Sequence, residues 1–317
     1  MKYYFDKQLK GYELIVDDSG KLAYVDTETG ELVPALHVCL PAGSITYTPQ
    51  SHRAYQRRKE AEQAKEDEAF RKQYTRQQNE ELGHYYFAES RDYRSELSPQ
   101  SMTRLMFLAT YLRYDSNILY ATERKILKKS QLPELLHLSE KTFYRFWTEV
   151  SGKYVIENLD GTLSMGNIFF RGNMSKKFEN GRLSANYQKI YISALRELYD
   201  RTPISKHRYL GYVFLILPYI NWEYNILSHN PEENDLDKLK TMTLDDLCEA
   251  LHYSKSQRSR LLDAYKQLKF ECDGKQQRFL SYVPDDPRAG NFKMFVNPHV
   301  IYRGSDWKRV EILGVFF

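Results

Sequence analysis

The chain has 317 residues, 42% of them hydrophobic and 28% charged, with a formal net charge of +4. That is a globular composition with room for two or three cores, and no apolar run reaches the length of a bilayer. The start, MKYYFDKQLKGYELIV, lacks the apolar core and small-residue cleavage site of a signal peptide. Cys39, Cys248 and Cys272 are far apart and in no metal-ligand spacing, which points to buried thiols and a cytoplasmic setting.

Residues 1–50 read as a small β-rich region. Tyr12–Val16, Leu22–Val25 and Leu32-Val33 are separated by the turn strings Asp17-Asp18-Ser19-Gly20 and Asp26–Gly30. Residues 51–97 read as a charged helical connector. Its stretch Ser51–Leu82 holds eight Lys/Arg and seven Asp/Glu among small alanines, so the helix has little to bury.

A first denser region spans 98–180. Ser98 is placed to cap a helix that has Pro99 at its first position and an apolar face from Leu105, Met106, Leu108, Ala109 and Leu112. The short apolar run Ile118-Leu119-Tyr120 is followed by the basic Arg124, Lys125, Lys128 and Lys129. A short helix Leu132–Leu136 turns at His137-Leu138, and Ser139 caps the helix EKTFYRFWTEV. Tyr154–Asn158 and Leu163–Met165 flank Asp160-Gly161, a hairpin signal. This is the order of a winged helix-turn-helix.

After a linker helix at 181–204, the same order returns in 205–317. Asn117-Ile118-Leu119 recurs as Asn225-Ile226-Leu227, and His137-Leu138-Ser139 as His252-Tyr253-Ser254. Leu132 and Leu136 recur as Leu247 and Leu251, and Arg171-Gly172 as Arg303-Gly304. The spacing between matches grows where the second hairpin is longer, as insertions in loops would make it. The expected fold class is α+β: mainly α with small β, as tandem winged helix-turn-helix domains preceded by a β-meander and a charged helix.

In such a motif the second helix enters the major groove. The apolar stripe Phe143, Phe146, Trp147 and Val150 leaves Lys141, Thr142, Arg145 and Thr148 on the outer side. In the second copy Leu261, Leu262, Tyr265 and Leu268 face inward, and Lys255, Ser256, Gln257, Arg258, Ser259 and Arg260 form a run of donors. Lys275, Gln276, Gln277, Arg278 and Arg288 give the second wing a basic edge. Against DNA contact stand Glu140 and Asp263 on the helices, and Glu157 and Asp160 in the first wing. Arg171, closing the first copy, is a phosphate contact or a structural ion-pair partner, and Arg303, closing the second, is a candidate DNA contact. Polar side chains decorate any surface helix; the helix-turn-helix order is what turns the choice toward DNA.

The C-terminal third resembles the Firmicutes plasmid replication proteins of the RepL type. There the winged helix ends in Asn-Pro, an apolar–aromatic pair and Arg/Lys-Gly, which here is Asn297-Pro298-His299-Val300-Ile301-Tyr302-Arg303-Gly304. The first copy departs from that pattern, with Met165-Gly166-Asn167 in place of Asn-Pro. The resemblance implies a plasmid- or phage-borne DNA-binding protein acting at an origin or an operator.

Catalytic signatures are missing from the sequence. There is no phosphate-binding Gly-rich loop, no histidine pair for metal-assisted nicking, no nucleophile elbow and no zinc pattern. Neither an enzyme nor a cofactor is expected. Duplex DNA is the expected partner, with host replication or transcription proteins as further candidates, no membrane, and a homodimer left open. Two alternatives accompany replication initiation: a transcription regulator at an operator, and a protein–protein interaction factor using the acidic segment 223–249.

Overall fold

The computed structural model describes residues 4–5, 12–16, 22–34, 46–47, 49–77, 83–88, 96–172, 187–272, 274–286, 291–303 and 307–317. The expected turn 17–20, Cys39, Arg288 and Gly304 lie outside these residues. The chain divides into two units, 1–73 and 74–317, with a mixed α+β fold of helices and small antiparallel sheets.

In the first unit β1 (Tyr4–Phe5) is followed by a meander of β2 (Tyr12–Val16), β3 (Leu22–Asp26) and β4 (Leu32–Pro34). The turn after β3 is an Asp turn: the Asp26 carboxylate accepts from Glu28 N at 2.8 Å and Thr29 N at 3.1 Å. β5 (Thr46–Tyr47) pairs antiparallel with β1. The long α1 (Pro49–Gln77) follows, and its side chains over 56–72 are almost all exposed, as its charge pattern predicts. Glu68–Lys72 at 2.8 Å is a one-turn ion pair on its surface.

The second unit carries one pattern twice. The first pass is β6 (His84–Ala88), α2 (Pro99–Ala109), β7 (Tyr120–Thr122), β8 (Lys125–Ile126), α3 (Leu132–Leu135), α4 (Glu140–Val150), β9 (Val155–Glu157), β10 (Leu163–Met165) and β11 (Phe169–Phe170). The second pass is β12 (Tyr187–Tyr191), α5 (Ile192–Arg201), α6 (His207–Leu215), α7 (Leu244–Ala250), α8 (Arg258–Lys266), β13 (Lys269–Cys272), β14 (Lys275–Arg278), β15 (Leu280–Asp286) and β16 (Asn291–Val296), with α9 (Trp307–Gly314) at the end. The segment 181–204, expected as a linker helix, holds β12 as well as α5.

Backbone hydrogen bonds repeat between the passes. Leu119 N→Leu163 O recurs as Leu227 N→Met294 O, and Met165 N→Asn117 O as Val296 N→Asn225 O. Leu138 N→Pro133 O recurs as Tyr253 N→Cys248 O, with His137 and His252 both left-handed at φ 54° and 51°. These left-handed residues end α3 and α7 and turn the chain into the next helix.

Two strands that the sequence pattern left inside connecting segments join the passes. β6 and β12 lie antiparallel at the centre of a sheet of order β11-β6-β12. Residues 300–302 extend it on the far side of β12, through the bridge Ile190↔Ile301 and Tyr191 N→Val300 O at 2.9 Å. Tyr85 and Phe87 on β6 and Gln188 and Ile190 on β12 are buried on the face toward the helices.

Beneath that face α2 packs directly on α6. Ser98 caps α2, accepting from Ser101 N, with Pro99 in the first turn as the sequence predicts. A Cβ built on Gly211 of α6 would lie 1.7 Å from the Pro99 carbonyl oxygen. Four residues along α2, Thr103 Oγ1 donates to the His207 carbonyl at 2.7 Å. Met102, Leu105, Met106, Leu210 and Val213 have no exposed surface around this crossing.

The second wing differs from expectation. One long hairpin was predicted; two short ones form, β13 with β14 and β15 with β16. Phe279 divides them: its ring is buried, its N–H donates to Leu268 O, and its carbonyl accepts from Asn297 N. Burying that aromatic ring takes the chain back to the core midway along what the sequence shows as one polar loop.

Gly211→Ala meets backbone and not a movable side chain, so the helices must separate. Overpacking of this kind costs about 3 kcal/mol. Urea unfolding followed by circular dichroism is expected to show that loss, with Thr103→Ala costing about 1 kcal/mol.

Candidate nucleic-acid interface

α4 begins at Ser139, whose Oγ accepts from Thr142 N, with Glu140 in the first turn where the helix dipole favours an acid. Phe146 and Val150 are buried, and Phe143 and Trp147 are half-buried beside them. Helical geometry then carries Lys141, Tyr144, Arg145 and Thr148 outward, and all four are exposed. Thr142 is half-buried and shares a 3.0 Å hydrogen bond with Ser139, so it belongs to the cap. Among the described residues neither Lys141 nor Arg145 has a carboxylate within ion-pair distance. Glu149, the acid nearest the end of this helix, accepts from Ser98 N at 3.1 Å and Ser98 Oγ at 2.9 Å.

Tyr144 was not singled out from sequence. It is 72% exposed in the middle of the cationic ridge. The signal was available, because Tyr144 lies on neither side of the apolar stripe that the other aromatics define.

The basic run before α3 has a role that the sequence did not reveal. Lys129 pairs with Glu157 of the first wing at 2.9 Å and lies 4.6 Å from the Trp147 ring centroid. Lys128 Nζ donates to the Gly161 carbonyl at 3.2 Å. These two cations fasten the first wing, while Arg124 and Lys125 stay exposed.

In the second pass residues 255–257 wind as a tight 3-10 turn before α8, and Ser254 makes no capping bond. Lys255, Ser256, Gln257, Arg258, Ser259 and Arg260 are all exposed. Several have partners. Arg258 Nη1 meets Asp245 at 2.9 Å, Lys255 meets Glu249 at 3.1 Å, and Ser256 Oγ lies 2.8 Å from Ser254 Oγ. The hydrogen bond that Lys255 donates to the Glu249 carboxylate pushes the ammonium pKa up. At the far end Asp263 pairs with Lys266 at 3.0 Å. The acids Asp245 and Glu249 sit on α7, so the acidic segment 223–249 neutralises part of the donor run beside it.

On the second wing Lys275 and Arg278 are exposed on β14. Gln277 is half-buried and its Oε1 accepts from Asn297 Nδ2 at 2.9 Å. The same Asn297 amide donates to the Arg278 carbonyl at 3.0 Å. The asparagine of the Asn-Pro string is therefore a clamp between the wing and the exit strand.

Arg171 and Arg303 stand at the two outer edges of the sheet, both half-buried. Arg171 Nη1 donates to the Leu112 carbonyl at 2.8 Å, and burial lowers its guanidinium pKa. Arg303 lies 3.5 Å from the Trp222 ring centroid.

Between them, on the sheet face away from the core helices, His84 packs edge-on against Tyr86 with its Nε2 3.0 Å from the phenol oxygen. Burial, helped by the Lys189 and Arg171 cations, takes its pKa from 6.5 down to about 4. Among the described residues no group of three His, Cys, Asp or Glu is placed to hold a metal ion, and no helix is long and apolar enough to cross a membrane. No family model, curated protein or solved structure matches the chain.

Between pH 6.5 and about 4 the unfolded chain holds a proton on this imidazole that the folded chain refuses. The stability that His84 contributes as a neutral ring is complete above pH 6.5 and is lost as the pH falls. The wild type is expected to lose about 2–3 kcal/mol more than His84→Gln between pH 7.5 and 4.5. Urea titrations of both at the two pH values measure the difference.

Proposed function

We propose that the chain is a sequence-specific duplex-DNA-binding protein with two winged helix-turn-helix modules, 98–180 and 205–317, serving a plasmid or phage as a replication initiator at origin repeats. The observation that carries this reading is the outer face of α4. Lys141, Tyr144, Arg145 and Thr148 stand exposed on the third helix of a helix–helix–helix–hairpin order, free of the acids that could have quenched them. Two cations and two hydroxyls there suit phosphates and base edges, and Arg145 suits a guanine edge.

α8 makes the same kind of contact with fewer free charges. Arg260, Gln257 and Ser259 are its outward donors, with Lys275 and Arg278 reaching along the wing toward phosphates or a minor groove. Lys255 and Arg258 join them only by leaving Glu249 and Asp245.

The exposed stretch Asp235, Leu236 and Asp237 favours a second reading, docking of a protein partner. Under that reading the intact protein shows no salt-sensitive DNA binding, and Arg258→Ala with Arg260→Ala leaves partner binding unchanged. Footprints decide between the DNA roles: protected repeats in an AT-rich origin support initiation, and sites overlapping a promoter assign the protein to an operator.

A fluorescence-anisotropy titration on random duplex at two salt concentrations is expected to show binding that weakens steeply with salt. Lys141→Ala with Arg145→Ala should weaken binding to the selected site by about 2–4 kcal/mol. Asp245→Asn with Glu249→Gln should instead tighten nonspecific binding and steepen the salt slope by up to about 2, because two cations are released for phosphate.

A further inference from the structure

We infer that a single chain binds its duplex as a built-in dyad, reading two half-sites of opposite polarity and unlike base sequence. The inference rests on the DNA-binding reading above and adds the arrangement of the site.

The dyad is written in contacts that come in reciprocal pairs, as a two-fold axis requires. Matching Phe87 to Ile190 and Phe169 to Ile301, the outer pairing Phe87↔Phe169 becomes Ile190↔Ile301. The hydrogen bond Ala88 N→Ile168 O becomes Tyr191 N→Val300 O under the same match. The central pairs then exchange with one another: Tyr85↔Ile190 with Phe87↔Gln188, leaving Tyr86↔Lys189 on the axis itself.

The helices give the same answer independently. Matching Asn117 to Asn225 places Thr103 on Gly211 and Pro99 on His207. Gly211 approaches the Pro99 carbonyl, and Thr103 approaches the His207 carbonyl. One contact is the other rotated. A tandem array related by translation would repeat such a contact in one direction and could not return it.

A two-fold axis keeps matched elements at equal height along itself. α4 and α8 are therefore held level, facing the same way along the axis and running in opposite directions across it. Duplex DNA has local dyads of its own perpendicular to its length, and a dyad-symmetric protein binds by superposing the two. The backbone contacts of the halves should obey that symmetry. The base contacts should not, because Lys141, Tyr144 and Arg145 are matched by Ser256, Ser259 and Arg260. The result is a symmetric scaffold on an asymmetric site, occupied in one orientation by one chain.

The test uses the full chain and a duplex selected from a random library. Native mass spectrometry gives the stoichiometry, and ethylation interference maps the phosphates. The inference expects one chain per duplex and blocking phosphates in two clusters, on opposite strands, related by rotation. It expects Lys141→Ala with Arg145→Ala to relax base preference in one half and Arg260→Ala in the other, each by roughly tenfold or more. Inverting one half-site in place should abolish specific binding. Two chains per site, same-strand clusters related by translation, or one variant relaxing both halves would each overturn the dyad while leaving DNA binding intact. Failure to select any duplex would overturn the DNA-binding reading, and the dyad site with it.

Discussion

The second unit is organised by how closely α2 can approach α6. At the crossing a peptide carbonyl of one helix occupies the place where the other has no side chain, and one turn away a hydroxyl replaces that vacancy with a hydrogen bond. Backbone contact of this kind leaves the two helices little room to slide, whereas packing of long side chains would tolerate drift. Because α2 belongs to the first pass and α6 to the second, fixing them fixes both copies. The sheet strands above, the tyrosine Tyr199 stacked 3.8 Å over Phe107, and its bond to the Leu136 carbonyl follow from that placement.

On this symmetric frame the surface is uneven. The first pass secures its wing with Lys128 and Lys129 and leaves the outward cations of α4 without acids. The second pass pairs the cations at the start of α8 with the acids of α7 and enlarges its wing with an extra pair of strands. Exposed ion pairs add little to stability, so the second arrangement is better understood as setting how much charge is on offer. Asp245 and Glu249 compete for Arg258 and Lys255 at short range, where salt screens least.

Much of this was legible in the sequence where a local rule acts alone. Ser98-Pro99 and Ser139 mark helix starts, Asp160-Gly161 marks a hairpin, and His137-Leu138-Ser139 repeats as His252-Tyr253-Ser254 because both copies need the same left-handed exit. What escaped depends on partners distant in the chain. His84–Ala88 and Tyr187–Tyr191 are short and lie in segments whose neighbours are polar. Their strand character comes from pairing with each other. Phe279 inside a polar run gave no sign that it would be buried and split the wing. The run Lys255–Arg260 showed its donors, but the acids that hold two of them sit on the preceding helix. Arg171 and Arg303 were found as a matched pair, and only the fold could place Leu112 and Trp222 beside them.

The crossing has one more implication. In a dimer of identical chains both sides of an axial contact must carry the same residue, so a glycine that admits a carbonyl brings a second glycine with it. Here the positions are Thr103 and Gly211, and each side has its own solution: a hydrogen bond on one, bare backbone on the other. Joining the halves in one chain removes the obligation to mutate both sides at once. It also makes their association independent of dilution, since the halves never part into solution. Divergence between the outer surfaces of the two copies is thereby decoupled from the contact that holds them together.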